Sequence, residues 1–234
     1  MSVALDYIAA VKPDVLIHGG DFWDWPQFTR HTKYEVNHTS FFEAIDMGNN
    51  LVDMMVQAAG PKSRIVILEG NHDSHPKRHA INNDPELAQL VPDMDDMLCL
   101  RERKIEFMPI QCDENHPVPD QRDFMIGSVH VYHGYQGGQN AAALAMRNNP
   151  GRDQMFFHIH KETVANSGGL GSNRFYAVTV PCLCRLYPEW KRGRPNDWEH
   201  GIGEIFWDDK TGWCEMRVHK IKHGKMTVMG EQYG

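Results

Sequence analysis

The 234-residue sequence has no apolar run approaching the length of a membrane-spanning helix. Its first residues lack the basic-then-apolar layout of a secretory signal, so the expected location is the cytoplasm. A basic excess is also missing. The formal net charge is −7, which argues against gripping nucleic acid over a broad surface and leaves a local basic patch or a metal ion as the means of contact. Lys191-Arg192-Gly193-Arg194 is one such small patch, read first as a solvated loop. Cysteine is sparse: Cys99, Cys112, Cys182, Cys184 and Cys214 form an odd set without a C-x-x-C pair. Cys182 and Cys184, one residue apart, suit neither a usual zinc knuckle nor a disulfide framework, so all five read as reduced thiols. No repeat, low-complexity run or linker interrupts the chain, and its length suits one domain spanning residues 1–234.

What is present alternates. Val3 to Val11 reads as a helix ended by Pro13, and Asp14 to Ile17 as a short buried strand. A helix from about Ser40 to Ala59 stops at Gly60-Pro61, and Arg64 to Leu68 is a second buried strand. A helix near Pro85 to Leu90 and a strand near Ile105 to Met108 follow. Then come a strand over Phe124 to Tyr132, a helix over Gln139 to Arg147 and a strand over Gln154 to Ile159. The last third reads as strands at Arg174–Val180, Gly203–Trp207, Trp213–Lys220 and Lys225–Met229. Early alternation and late hairpins imply an α/β architecture.

Polar clusters follow the apolar strands, where α/β folds place their sites. They are Gly20-Asp21-Phe22-Trp23-Asp24, Gly70-Asn71-His72-Asp73, His133-Gly134 and His158-Ile159-His160. Singly, each is an ordinary turn, cap or core feature. In this order they resemble the signature of the calcineurin-like metallophosphoesterase superfamily: G-D-x-x-D, G-N-H-[DE], an apolar run ending in H-G, and G-H-x-H. The G-N-H-D form is similar to that of its DNA-repair nucleases. The run Pro181-Cys182-Leu183-Cys184, with Tyr187 and Asp197 to Gly201, is similar to phage-encoded members.

The resemblance implies a two-sheet αββα sandwich and hydrolysis of phosphoesters by a metal-bound hydroxide. Phosphodiesters, those of nucleic acid among them, are the favoured substrate class. Phosphomonoester or phosphoprotein hydrolysis, and a non-catalytic metal- or partner-binding member, are the alternatives. It implies two divalent ions, Mn²⁺ first and Fe, Zn²⁺ or Ni²⁺ after it. Asp21 would bridge them, Asn71, His133 and His158 would complete one site, and His160 would bind the other. His72 would protonate the leaving oxygen, with Asp24 setting its tautomer.

Two departures accompany the likeness. The D-x-H motif on the family's opening strand is absent, which would leave the second site with Asp21 and His160 alone. Three expectations follow. The strand lies upstream or comes from a partner; a single ion binds; or a histidine among His18, His31, His38, His75 and His79 substitutes. His18 is the nearest of these, and Pro76 argues against a helix carrying His75 and His79 on one face. A missing strand would leave strand edges exposed and favour a homodimer or aggregation. The second departure is Phe157, where the family has glycine; it would narrow the pocket, shift His158 or simply serve the core. The aromatics Phe22, Trp23, Trp25 and Phe28 would stack on a base or pack as a cap.

Overall fold

In the computed structural model, residues 2–28, 39–111, 120–167, 174–188, 191 and 193–234 are described. His31, His38, Cys112 and Arg192, all singled out above, lie outside them.

Helix α1 (Ser2–Val11) leads into strand β1 (Val15–His18). Helix α2 (Phe41–Ala59) returns the chain to β2 (Arg64–Leu68), which pairs with β1 in parallel, Leu16 opposite Ile65. A parallel pair needs such a crossover. The start of α2 is fixed by a capping box: Ser40 Oγ accepts from Glu43 N at 3.1 Å, and the Glu43 carboxylate accepts from Ser40 N at 2.7 Å. After α3 (His75–Asn83), α4 (Pro85–Ala88) and α5 (Met94–Met97), β3 (Glu106–Met108) completes a parallel three-stranded sheet in the order β1-β2-β3.

A second sheet contains β4 (Met125–Ile126), β5 (Val129–Tyr132), β6 (Asp153–Phe156), β7 (Val164–Asn166) and β8 (Tyr176–Thr179), in the order β4-β5-β6-β8-β7. Helix α6 (Ala141–Asn148) crosses between β5 and β6. Two antiparallel hairpins follow, β9 (His200–Asp208) with β10 (Trp213–Ile221), and β11 (Met226–Val228) with β12 (Glu231–Tyr233).

The strand period of two decides what each face covers. Along β2, Ile65 and Ile67 join Trp25, Val52, Leu98 and Leu100 in one cluster, beneath α2. The alternate residues Val66 and Leu68 join Val129, Val131, Met155 and Val178 of the second sheet, with Ile205, Met216 and Val218 of the long hairpin packed alongside. On the other side of the second sheet, Tyr132 and Phe156 meet Ala141 and Ala145 of α6. A fourth cluster seats α1 on the last hairpin through Val3, Tyr7, Met226 and Val228. The result is a mixed α/β fold, and among the described residues no helix is long and apolar enough to cross a membrane.

Several elements differ from the sequence reading. The expected strand over Phe124–Tyr132 is a hairpin, because Gly127 takes φ 56° and folds β4 back on β5. A helix does form over His75–Asn83: Pro76 falls in its first turn, where no backbone N–H is required. The strand expected to reach Ile159 ends at Phe156, and β7, β12 and α5 are too short to carry a periodic signal. Among the described residues β1 pairs only with β2, so its other edge is unpaired.

Candidate metal centre

The parallel pairing of β1 and β2 sets the Gly19–Asp24 and Gly70–Asp73 loops side by side at the strands' carboxyl ends. Their approach is close. A Cβ built on Gly70 would lie 2.0 Å from the Asp21 backbone nitrogen and 2.2 Å from its Oδ1, so only glycine fits there. Asp73 stitches the loops together, its carboxylate accepting from Gly70 N at 2.7 Å and Trp23 N at 3.1 Å. Burial, and then the charge of Asp21, push Asp73 up to about 7 despite these hydrogen bonds.

The second sheet delivers the remaining groups. His133 follows β5 and is buried. Its Nδ1–H donates to Gly19 O at 2.8 Å, which fixes the tautomer and leaves the Nε2 lone pair facing inward. That nitrogen lies 3.1 Å from Asn71 Oδ1 and 3.3 Å from Asp21 Oδ2. His158 Nδ1 is 2.9 Å from the same Asn71 oxygen. Acceptors thus converge on one point, an arrangement that requires a proton or a cation among them. In the bare protein the proton is favoured. Burial opposes charge on His133, but Asp21 outweighs it and raises the imidazole above its ordinary range. Burial likewise opposes charge on Asp21, yet His133 and His72 hold it far below the usual carboxylate range. Burial and the charge of His133 lower His158. A divalent ion would replace the proton with the donor chemistry unchanged: one carboxylate, one amide oxygen and two imidazoles suit Mn²⁺, Fe or Zn²⁺.

His72 sits at the rim, about one third exposed. Its Nδ1 bonds Asp24 Oδ1 at 2.9 Å, and its backbone N–H donates to Asp21 Oδ1 at 2.9 Å. The Asp24 hydrogen bond is the main reason His72 is raised above the ordinary imidazole value; Asp24 is lowered in turn. His75 stacks on His72 with ring centroids 4.7 Å apart.

His158 and His160 do not share a strand face. The chain leaves β6 after Phe156, and both residues take positive φ, 69° and 64°. Ile159 N–H bonds Phe157 O at 2.8 Å, closing a three-residue turn on His158. Asp21 has φ 49° as well. A bend of this kind costs an ordinary residue roughly 1–3 kcal/mol and is concentrated where side chains must be aimed. The turn sends the two imidazoles apart. The ligand atoms of Asp21, His133 and His158 lie within 4.8 Å of one another, whereas those of His160 group with Cys182 and Cys184.

The other candidates divide in the same plain way. His18 belongs to neither group; its Nδ1 accepts from Gly20 N at 3.3 Å, and burial pushes it down to about 4. His79 rests against Phe28, with ring centroids 5.4 Å apart. The Phe157 ring packs into the inter-sheet cluster and passes 2.3 Å from where a Cβ on Gly19 would stand, so it serves the core beside the site. Trp23 and Trp25 are buried in the cluster beneath α2, which makes them core residues rather than a stacking platform.

Comparison with protein-family models, with curated proteins and with solved structures finds no match. The site is therefore read from its own geometry. That geometry adds one residue that sequence reasoning missed. Buried Gln121 accepts from His133 N at 2.7 Å and donates to Glu69 O at 2.7 Å and Met108 O at 2.9 Å, joining the ends of β2, β3 and β5. A glutamine in a variable loop carries no pattern that would have marked it.

Proposed function

We propose that this chain is a metal-dependent phosphoesterase with an αββα sandwich fold, acting on phosphodiesters in preference to monoesters. The carrying observation is the convergence of Asp21, Asn71, His133 and His158 on one point with the His72–Asp24 pair beside it. The two sheets sharing one apolar cluster, with α2 and α6 on their outer faces, support the sandwich.

Divalent ions held there would polarise a phosphoryl oxygen and acidify water. The protein's own part is positioning and proton supply. Asp21 accepts from the His72 backbone N–H with Oδ1, which leaves Oδ2, beside His133, as the oxygen that would hold an ion, so the proton donor is tied to the carboxylate that would bind metal. With Nδ1–H on Asp24, His72 presents Nε2–H outward to a departing oxygen. The Asp24 hydrogen bond raises the His72 pKa and so favours that proton. The acidic net charge favours a small or locally held substrate, and the unpaired edge of β1 supports partnership with a second copy or a strand from another chain.

A binding-only reading draws on one fact: His160 sits with two cysteines rather than with Asp21. One experiment separates the two. Hydrolysis of bis(p-nitrophenyl) phosphate and p-nitrophenyl phosphate is measured with excess Mn²⁺ for the wild type and His72→Asn. Catalysis predicts roughly 10²–10⁴-fold loss of turnover on the diester with bound manganese unchanged. Because the acid form of His72 is the active one, the wild-type rate falls as pH rises through its raised pKa, and Asp24→Asn moves that fall to lower pH. Equal rates for His72→Asn and wild type would remove His72 from the chemistry, and no hydrolysis by either would leave the binding-only reading.

A further inference from the structure

We infer that His160, Cys182 and Cys184 form a second metal site, thiolate-rich and selective for a soft or borderline divalent ion such as Zn²⁺. Their ligand atoms lie within 4.8 Å of one another, with Cys184 Sγ 4.0 Å from His160 Nδ1. A tetrahedral zinc with Zn–S of about 2.3 Å and Zn–N of about 2.0 Å spaces its donors by roughly 3.5–3.8 Å. The group therefore needs to contract by only a few tenths of an ångström along the measured pair.

The backbone holds the three residues in place before any ion arrives. Glu199 N donates to His160 O at 2.8 Å, and Glu199 O accepts from Cys182 N at 3.0 Å. Gly201 N donates to Cys182 O at 3.2 Å, completing the bridge between Cys182 and His200 at the start of β9. His200 Nε2 bonds Cys184 O at 2.7 Å, which engages that ring outside the ligand group. Trp198 lies edge-on to the His160 ring at 4.1 Å between centroids and fixes its plane. One short segment thus ties together ligands from two distant parts of the chain. An x-residue between the cysteines is no obstacle, because the third donor comes from the turn after β6.

Two thiolates and one imidazole differ in kind from the oxygen and imidazole donors around Asp21. Sulfur favours zinc, whereas carboxylate and amide oxygen tolerate manganese. Three protein donors leave a fourth position open, the pattern of zinc sites that admit water or a ligand rather than closed structural ones. The inference stands without the phosphoesterase reading.

The test is cobalt substitution in the reduced, metal-free full chain. Co²⁺ titration should produce a sulfur-to-cobalt charge-transfer band in the near ultraviolet. Cys182→Ser and Cys184→Ser should each diminish it and weaken binding at this site by more than the roughly 10–100-fold that an outer-shell partner costs, and the double variant should abolish it. Asp21→Asn should leave the band. Should the serine variants fail to fold, wild-type thiols are titrated with a disulfide reagent; equimolar Zn²⁺ should protect two of them. Absence of the band at saturating Co²⁺, or equal thiol reactivity with and without Zn²⁺, overturns the site. A chain that shows the band and hydrolyses nothing keeps this site and loses only the proposed catalysis.

Discussion

The two ligand groups are built by different means. Around Asp21 the donors come from loops at the ends of strands whose pairing already brings them together, and each loop carries a compact polar motif. Around His160 the donors come from two bends held by the Glu199–Gly201 segment, with no strand order to announce the meeting. The first arrangement depends on close packing of loops, the second on a few backbone hydrogen bonds. Perturbing the loops should therefore damage one group and spare the other.

The largest effect is expected from Gly70→Ala. Its methyl would meet Asp21 backbone that cannot step aside, and overpacking of this kind costs about 3 kcal/mol. Denaturant melts should show that loss, with manganese binding at Asp21 abolished and the cobalt–thiolate band retained. Loss of both signals together would mean the groups share more structure than the hydrogen bonds indicate.

Gln121→Leu should follow closely. It strands the Glu69 carbonyl and the His133 N–H, while Met108 O keeps its bond from Glu69 N; each buried unsatisfied group costs about 1–3 kcal/mol before relaxation, so a net loss of about 2 kcal/mol is expected. Manganese affinity should fall with it, since His133 loses an anchor. Unchanged stability would show that water replaces the amide there.

Asp73→Asn gives the smallest of the three and the clearest pH signature. Burial raises Asp73 to about 7, so the folded state keeps a proton that the unfolded chain releases near 4. The contribution is therefore complete below about pH 4 and lost as pH rises toward 7. In metal-free protein, stability should decline across that window, and Asp73→Asn should flatten the decline while costing about 1 kcal/mol through the lost carboxylate acceptor. A wild-type profile without the decline would place a cation or water beside Asp73 that offsets its burial.

Much of the first group was legible from sequence. Apolar β-branched runs marked β1 and β2, glycine-flanked polar residues marked the loops after them, and Asp21, Asn71, His133 and His158, which the family likeness had grouped, lie together. Asp24 and His72 were paired in advance as well, and they form the hydrogen bond. The second group was hidden. Continued through the end of the strand expected at Ile159, the period of two would put His158 and His160 on one face, whereas positive φ at each sends them to different partners. Spacing alone also dismissed Cys182 and Cys184, because their third donor is remote in sequence. Gln121 was missed, and Asp73 was marked only as the last residue of a motif, for a simpler reason: their importance lies in how many backbone groups they satisfy, which depends on tertiary packing rather than on local pattern.

The turn on His158 has a further consequence. One tripeptide, His158-Ile159-His160, supplies a donor to each group, and its Cα atoms cannot be more than about 7 Å apart end to end. It acts as a ruler, setting how far apart two bound ions could sit.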